Sequence, residues 1–411
     1  MSELRPRSEL RSATPSIARH GQLKKNRAWP MILKIIGASL VVVLISGASV
    51  GAVVVNSLTS KIDTVQIIGE TEGPPPQIGA IEGGFNILVV GSDTRQGQDG
   101  IGGSAEEESG NLNDVNILLH VSQDQTNAVA ISFPRDMVVG IPECPWDDGS
   151  GDVKGYSTEP INTALYYGGL NCVVMTVAEL TGLPIQFAGI ITFNGVIAMG
   201  DAIGGVPVCF TGPVDDPNTG LLIHQAGTVE LKGIDALAFL RSRAGVGDGS
   251  DLTRISSQQV YLSALVRKLQ GEETLSDPTK VYNLAKAALS NMQLSQGLGN
   301  LDTMVSIALA LKDIPIERVT FVQYPGRTGG DGVYLGKVQP DTYAGEQLMA
   351  LVRADQPFVL AAAGDDRGST LDPNAPAPDP SAPPVDNTGL PVLEGVSGQT
   401  AAQYTCSVAN E

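Results

Sequence analysis

The stretch Phe85-Asn86-Ile87-Leu88-Val89-Val90-Gly91-Ser92-Asp93 decides how this chain reads. Its short apolar run, closed by Gly91-Ser92, predicts a buried strand. Asp93 then stands just past the carboxyl end, the edge where α/β sheets build their sites. Downstream, Val115–Val121 and Ala128–Phe133 predict a strand pair joined by the polar turn 122–127. Helices are expected over 162–167 and 173–181, with Thr181-Gly182 ahead of Pro184 as a stop signal. A strand over 185–191, a helix over 195–203 and a strand over 206–210 follow. Helical periodicity returns over 233–241 and 253–270, the second predicted to bury Ile255, Leu262, Leu265, Val266 and Leu269. Helices near 281–290 and 301–311 precede a strand at 319–322. This alternation predicts an α/β fold, an α-β-α sandwich.

The flanks differ in kind. Residues 1–30 form a basic tail, in which Arg5, Arg7, Arg11, Arg19, Lys24, Lys25 and Arg27 outweigh Glu3 and Glu9. Residues 31–55 are expected to be a transmembrane helix. Its uncharged core, Ile35 to Val55, would cover about 30 Å at about 1.5 Å per residue, the thickness of a bilayer's hydrocarbon interior. The positive-inside rule keeps the tail cytoplasmic and exports the rest, giving a single-pass cell-membrane protein with an extracytoplasmic domain. A cleaved signal peptide is the alternative, with small residues at 48–52, but its apolar region would be about half as long. Residues 56–84 read as a juxtamembrane linker stiffened by Pro74-Pro75-Pro76, and 85–363 as the catalytic domain. Residues 364–411 read as a Pro/Asp-rich, disordered tail. Within it, Leu390 to Glu411 keeps enough apolar content, with Cys406, to dock back.

The net charge of −18 repels nucleic acid, and no DNA or RNA partner is expected. Four cysteines, all beyond the apolar span, suit disulfides, and their three pairings stay open. His120 falls inside an apolar strand and His224 in a loop without an evident partner. Ser-His-Asp and Cys-His chemistry therefore has little support, and neither a nucleophile elbow nor a P-loop occurs.

Aspartate and arginine remain. Asp93 and Asp114 flank neighbouring strand ends and could share one Mg²⁺ through hard oxygen ligands; turn closure and strand capping are their structural alternatives. Arg135 follows the strand ending at Phe133, with Asp136 as a local ion-pair partner. Arg241, Arg243 and Arg254 lie within fourteen positions of an acidic protein. Guanidinium forks match phosphate oxygens, so the cluster suits a compact anion. Arg254 and Gln258 share a helix face. Arg241 and Arg243 could merely complement a helix dipole, and Asp251 could merely cap a helix.

In order and spacing, Gly91-Ser92-Asp93-Thr94-Arg95, Asn113-Asp114, Phe133-Pro134-Arg135-Asp136, Ile161-Asn162-Thr163-Ala164, Gly204-Gly205-Val206, Ala236–Arg243, Asp251–Ile255 and Gln258-Gln259 together resemble the LytR-CpsA-Psr family. The resemblance covers roughly residues 85–270. It implies a membrane-anchored transferase that moves a glycopolymer from a polyprenyl diphosphate onto peptidoglycan in cell wall assembly. Its lipid would lie in an apolar groove with the diphosphate at the mouth. By the same resemblance, Asp93 and Asp114 bind Mg²⁺ (or Mn²⁺). Arg95, Arg135, Arg241, Arg243, Arg254 and Gln258 bind substrate, and Asp251 orients the arginines. Asp93, Arg243 and Arg254 are the catalytic set, with Asp93 the first choice of base by position. The sequence departs from the family at Leu112 and Val115, where relatives often carry Arg and Thr, so one phosphate contact is missing or is supplied by another residue such as Arg95 or Arg327. A C-terminal LytR-type domain is not evident. The competing readings are a non-catalytic polyprenyl-diphosphate or wall-binding regulator and a lipid pyrophosphatase.

Overall fold

In a computed structural model, the described residues are 29, 31–37, 39, 46, 63–68, 83–94, 111–146, 150–271, 278–365, 367–377 and 385–410. Two units are distinguished, 1–56 and 57–411. In the first, residues 31–37 are helical. Among the described residues no helix is long and apolar enough to cross a membrane; most of the expected span at 31–55 lies outside them.

The second unit is a mixed α/β domain. In chain order its principal elements are β1 (Asp63–Val65), β2 (Phe85–Ser92), β3 (Asn113–Val121), β4 (Ala128–Phe133), α1 (Ala164–Thr181), β5 (Phe187–Ile191), α2 (Phe193–Ala202), β6 (Val206–Phe210), β7 (Gly227–Leu231), α3 (Gly233–Arg241), α4 (Asp251–Gln270), α5 (Pro278–Asn291), β8 (Met292–Ser295), β9 (Val319–Gln323), α6 (Thr342–Arg353), β10 (Ser369–Leu371), β11 (Gly398–Thr400) and β12 (Thr405–Ser407). The central sheet has eight strands in the order β1-β8-β5-β2-β3-β4-β9-β11. β2 pairs antiparallel with β3, β3 antiparallel with β4, and β2 parallel with β5.

Alternation along β2 divides its side chains between two faces. Leu88 and Val90 enter a core with Leu118 and Ile131, packed against Val173 and Val177 of α1 and Leu348 and Val352 of α6. Val89 and Gly91 face the opposite side, where α2, α3, α4 and α5 close over the sheet. Each fully buried aliphatic side chain contributes about 1.5–3 kcal/mol, so the two-sided cover is what makes this sheet stable.

Several elements differ from the sequence reading, for identifiable reasons. The two helices expected over 162–167 and 173–181 are both present within Ala164–Thr181 (α1), parted at the non-helical Gly168 (φ −137°, ψ 29°) and Gly169 (φ 58°, ψ −154°), so that the second starts earlier than expected. The linker expected over 56–84 supplies β1 and the buried Ile67, since three residues suffice to extend a sheet edge; Pro74–Pro76 lies outside the described residues. The disordered tail expected over 364–411 is not a tail throughout. β11 joins the central sheet beside β9, and β12 lies between β6 and β10 in a four-stranded sheet. The Cys209–Cys406 disulfide links adjacent strands of that sheet, and Cys144–Cys172 closes a second. Pro378, Pro380, Pro383 and Pro384 fall outside the described residues.

The burial of α4 follows from this returning segment. All of Asp251–Tyr261 is buried, polar residues included, because the C-terminal strands cover it. Ser257 Oγ lies 3.1 Å from Ser407 Oγ, and Gln399 Nε2 donates to Ser263 Oγ at 2.7 Å. Ile255 is buried as expected. Leu262, Leu265 and Leu269 are only half-buried because they face a cavity.

Candidate functional site: an arginine clamp at the mouth of an apolar cavity

The site begins with a bulge. Gly91 pairs with Val115 but Ser92 pairs with Asn113, so Asp114 is the extra residue of β3. A bulge re-aims its residue, and Asp114 turns to the cavity mouth. Gly91 makes this possible: a Cβ there would come within 2.9 Å of Val115 Cβ. Asp93, one residue past β2, is fixed by its neighbours across the pair, its N–H donating to Leu112 O (3.1 Å) and its Oδ1 accepting from Leu112 N (2.8 Å).

Asp251 organises the arginines. The N-cap of α4 is Ser250, whose hydroxyl accepts from Thr253 N. Asp251 is therefore free of the capping role open to it from sequence. Its Oδ1 lies 2.7 Å from Arg254 Nη2, 2.9 Å from Arg243 Nη2 and 3.7 Å from Arg135 Nε. Its Oδ2 accepts from Arg135 N at 3.1 Å. Arg135 Nη1 donates to Asp114 Oδ1 (2.8 Å), and Arg254 Nη2 to Asp114 O (3.0 Å). Arg135, Arg243, Arg254, Asp114 and Asp251 are thus one network, with three guanidiniums against two carboxylates. Asp136, beside Arg135, is matched by Lys337 Nζ at 2.9 Å.

Burial leaves this network short of acceptors. The Nε–H groups of Arg135, Arg243 and Arg254 are buried without a hydrogen bond. Burial pulls the Arg254 pKa below its ordinary value against the attraction of Asp251 and Asp114, with Arg243 and Arg135 adding like-charge repulsion. Arg135 is shifted the other way: Asp114, Asp251 and Asp136 together outweigh its desolvation. An incoming anion would add to the attraction that Asp251 and Asp114 already exert on Arg254.

Behind the mouth lies a cavity of about 280 Å³. Val89, Ile117, Met199, Leu237, Leu262 and Leu265 give it apolar walls, and Arg241, Arg254 and Gln258 reach it from α3 and α4. Gln258 Nε2 donates to Leu240 O at 2.8 Å, tying α4 to α3. The Arg241 guanidinium lies 4.5 Å from the Phe193 ring centroid, a cation–π contact that holds it over the wall.

Most residues proposed from sequence thus converge. Arg95 lies outside the described residues. Arg327 is exposed and donates to Gln339 Oε1 at 3.1 Å. Val115 joins the apolar wall instead of supplying a hydroxyl. His120 is buried, 2.8 Å from Asn86 Oδ1 and 3.0 Å from Asp355 Oδ1. Burial lowers its pKa despite Asp355.

Asp216 was missed. It is buried, and its Oδ2 accepts from Ser242 Oγ (2.6 Å), Arg243 N (3.2 Å) and Gly245 N (3.4 Å). It fixes the turn that presents Arg243. Its position in a Val-Asp-Asp-Pro-Asn-Thr-Gly turn gave only a loop signal.

As a metal site, Asp93 and Asp114 offer carboxylate oxygens suited to a hard cation. Asp114 commits Oδ1 to Arg135, and its Oδ2 makes no hydrogen bond among the described residues. This donor set fits Mg²⁺ if phosphate oxygens and water complete the coordination.

Comparison with known proteins agrees with this architecture. The LytR_cpsA_psr family model matches residues 54–350, and the chain belongs to the LytR-CpsA-Psr family. It is 28% identical to the cell wall biosynthesis protein LcpA of Corynebacterium glutamicum, over 93% of this chain and 76% of that one. Identity is 23% to the polyisoprenyl-teichoic acid–peptidoglycan teichoic acid transferase TagT of Bacillus subtilis, over 73% of this chain and 89% of the relative. Among solved structures, the LytR-Csp2A-Psr enzyme from Actinomyces oris superposes with a TM-score of 0.52 at 22% identity, covering 71% of this chain and 96% of that one. That likeness is one of fold.

Proposed function

We propose that the protein is a membrane-anchored phosphotransferase that moves a glycopolymer from a polyprenyl diphosphate carrier onto peptidoglycan. The observation carrying this reading is the convergence of Arg135, Arg243 and Arg254 on Asp251, with Arg254 and Arg241 also lining an apolar cavity. An amphiphile with a compact anionic head answers both halves. The teichoic acid transfer named for TagT supports the reaction class. In the same reading, residues 31–55 hold the N-terminus in the cell membrane and the domain lies outside it.

In this mechanism the cavity holds the first part of the polyprenyl chain, and Arg135, Arg241, Arg243 and Arg254, with Gln258, hold the diphosphate. Asp251 fixes the fork directions beforehand, so the clamp meets developing charge without reorganising. A sugar hydroxyl of the acceptor forms a new P–O bond at the phosphorus bearing the glycopolymer. The bridging P–O bond breaks, polyprenyl phosphate departs with the electron pair, and Asp93 takes the hydroxyl proton. Arg243 and Arg254 stabilise the negative charge on the leaving phosphate. Asp93 and Asp114 would hold Mg²⁺ (or Mn²⁺), whose chemistry here is to neutralise diphosphate charge.

The test is Mg²⁺-dependent release of polyprenyl phosphate by the full chain in detergent, with and without peptidoglycan, against Arg243→Ala. Transfer to peptidoglycan that the variant loses supports the reading. Release without transfer would establish a lipid pyrophosphatase instead, and lipid binding with neither would establish a regulator.

A further inference from the structure

A second cluster lies beside the clamp. Gly168 sits at the kink of α1, and a Cβ there would fall 2.6 Å from Pro145 O, 2.9 Å from Cys172 Cβ and 3.1 Å from Cys144 Cβ. Only glycine admits this approach. Together with the Cys144–Cys172 disulfide, it brings Trp146 against the first turn of α1. The Trp146 ring stands edge-on to Tyr166 (6.2 Å, 81°) and to Tyr167 (5.4 Å, 82°), and the two tyrosines meet at 5.4 Å and 72°. Tyr167 is the anchor. Its hydroxyl donates to Glu159 Oε2 at 2.7 Å, and Lys154 Nζ lies 4.1 Å from its ring centroid. The bond to Glu159, with burial, pushes the phenol up to about 12, so it stays a donor. Tyr166, by contrast, is 54% exposed.

Tyr167 packs against the core, whereas Tyr166 is presented to solvent beside Trp146. The three rings form a rigid stacking surface whose conformational entropy is already spent. Its rim is polar, with Glu159 and Lys154 (3.6 Å apart) beneath it. An exposed ring such as Tyr166, backed edge-on by Trp146, matches a pyranose ring, which offers C–H groups on its faces and hydroxyl or acetamido groups at its edge. The location is equally specific. Asn162 N donates to Arg135 O (3.2 Å), and Leu165 N to Asn113 Oδ1 (3.1 Å), beside the Asp114 bulge. Tyr166 therefore begins roughly 7 Å along the chain from a residue bonded to the clamp.

We propose that Trp146 and Tyr166, held by Tyr167, Gly168 and the Cys144–Cys172 disulfide, form a sugar-stacking subsite for the acceptor glycan strand. This assignment of the acceptor rests on the transferase reading above; stacking of a pyranose chain does not. The donor's own polymer shares the same pyranose chemistry, so the experiment must separate the two.

The chain has two tryptophans, and Trp29→Phe leaves Trp146 as the sole indole reporter. Titrating this full-length variant in detergent with soluble peptidoglycan glycan strands, without donor, is expected to change its fluorescence saturably. Adding Tyr166→Ala should weaken the apparent affinity about tenfold, with the thermal midpoint checked to confirm folding. In the transfer assay, Tyr166→Ala should raise the KM for glycan strands by a similar factor. No fluorescence change, or one indifferent to Tyr166→Ala, overturns the subsite. A rise in donor KM instead of acceptor KM overturns the acceptor assignment. If wild type transfers nothing, the transferase reading fails, while the fluorescence titration still decides the stacking surface.

Discussion

Asp251 and Arg254, one helical turn apart on α4, meet at 2.7 Å with each side chain only 6% exposed. Such burial would be costly for either charge alone. Because the same carboxylate oxygen also receives Arg243, the pair is the fixed point of the whole clamp.

Asp251→Asn tests that role. It removes the negative charge that three guanidiniums share, leaving Asp114 and Asp136 to face Arg135, and Arg243 without its carboxylate partner. Breaking a buried pair from one side costs about 3–5 kcal/mol. The expected outcome is a loss of that order in chemical denaturation, recovered in part when inorganic pyrophosphate is added, because an anion replaces the missing charge. A stability equal to wild type without any anion would show that Asp251 does not organise the arginines.

Asp114→Asn tests the metal site. The amide keeps the bulge and one oxygen but loses the charge that a divalent cation requires. The proposal predicts that the Mg²⁺ concentration for half-maximal release rises at least tenfold and that chelation abolishes wild-type release. An unchanged Mg²⁺ requirement would remove Asp114 from the metal site.

Asp216 gives the pH dependence a definite sign. Burial alone would raise its pKa, but hydrogen bonds from Ser242 and from the backbone of Asn218, Arg243 and Gly245 outweigh this and hold it below the usual 3.8. A carboxyl depressed in the folded state contributes stability that is fully present above its unfolded pKa, about 3.9, and lost as pH falls through the lower folded value. Wild type should therefore lose stability below about pH 4. Asp216→Asn should be less stable at neutral pH and show a shallower decline over that acid range. Parallel pH profiles for the two proteins would contradict it.

Much of this fold was legible because its strands are short apolar runs closed by Gly, Pro or polar turns. The boundaries of β4 and β6 follow from that rule, and the helix stop at Gly182 (φ 67°) from its need for a left-handed residue. The clamp was legible because arginine is conspicuous in an acidic chain. What stayed hidden depends on contacts distant in sequence. β11 and β12 are three residues each and gain their definition only from β9 and β6, far upstream. Asp216 is separated from Arg243 by twenty-six intervening residues of strand, turn and helix. The Asp114 bulge is a register shift, which no single-strand pattern reveals.

The returning C-terminal segment suggests the last test. It braces the loop carrying Arg243: Gly247 N donates to Val408 O (2.8 Å), Asn410 N to Gly245 O (3.2 Å), and Asn410 Nδ2 to Ala244 O (2.8 Å). Gly247 (φ 51°) gives the loop its close turn beneath this strap, and Cys209–Cys406 fastens the strap to β6. Cys406→Ser paired with Cys209→Ser keeps the side-chain size and most of the strand pairing but removes the fastening. The double variant should lose about 2–4 kcal/mol of stability, and exchange of the Gly245 and Gly247 amides should accelerate before that of β2 and β3. If the clamp depends on the strap, pyrophosphate affinity falls with loop protection. A variant that is destabilised uniformly, with the loop amides exchanging only alongside β2 and β3, would mean that the disulfide stabilises the domain without positioning Arg243.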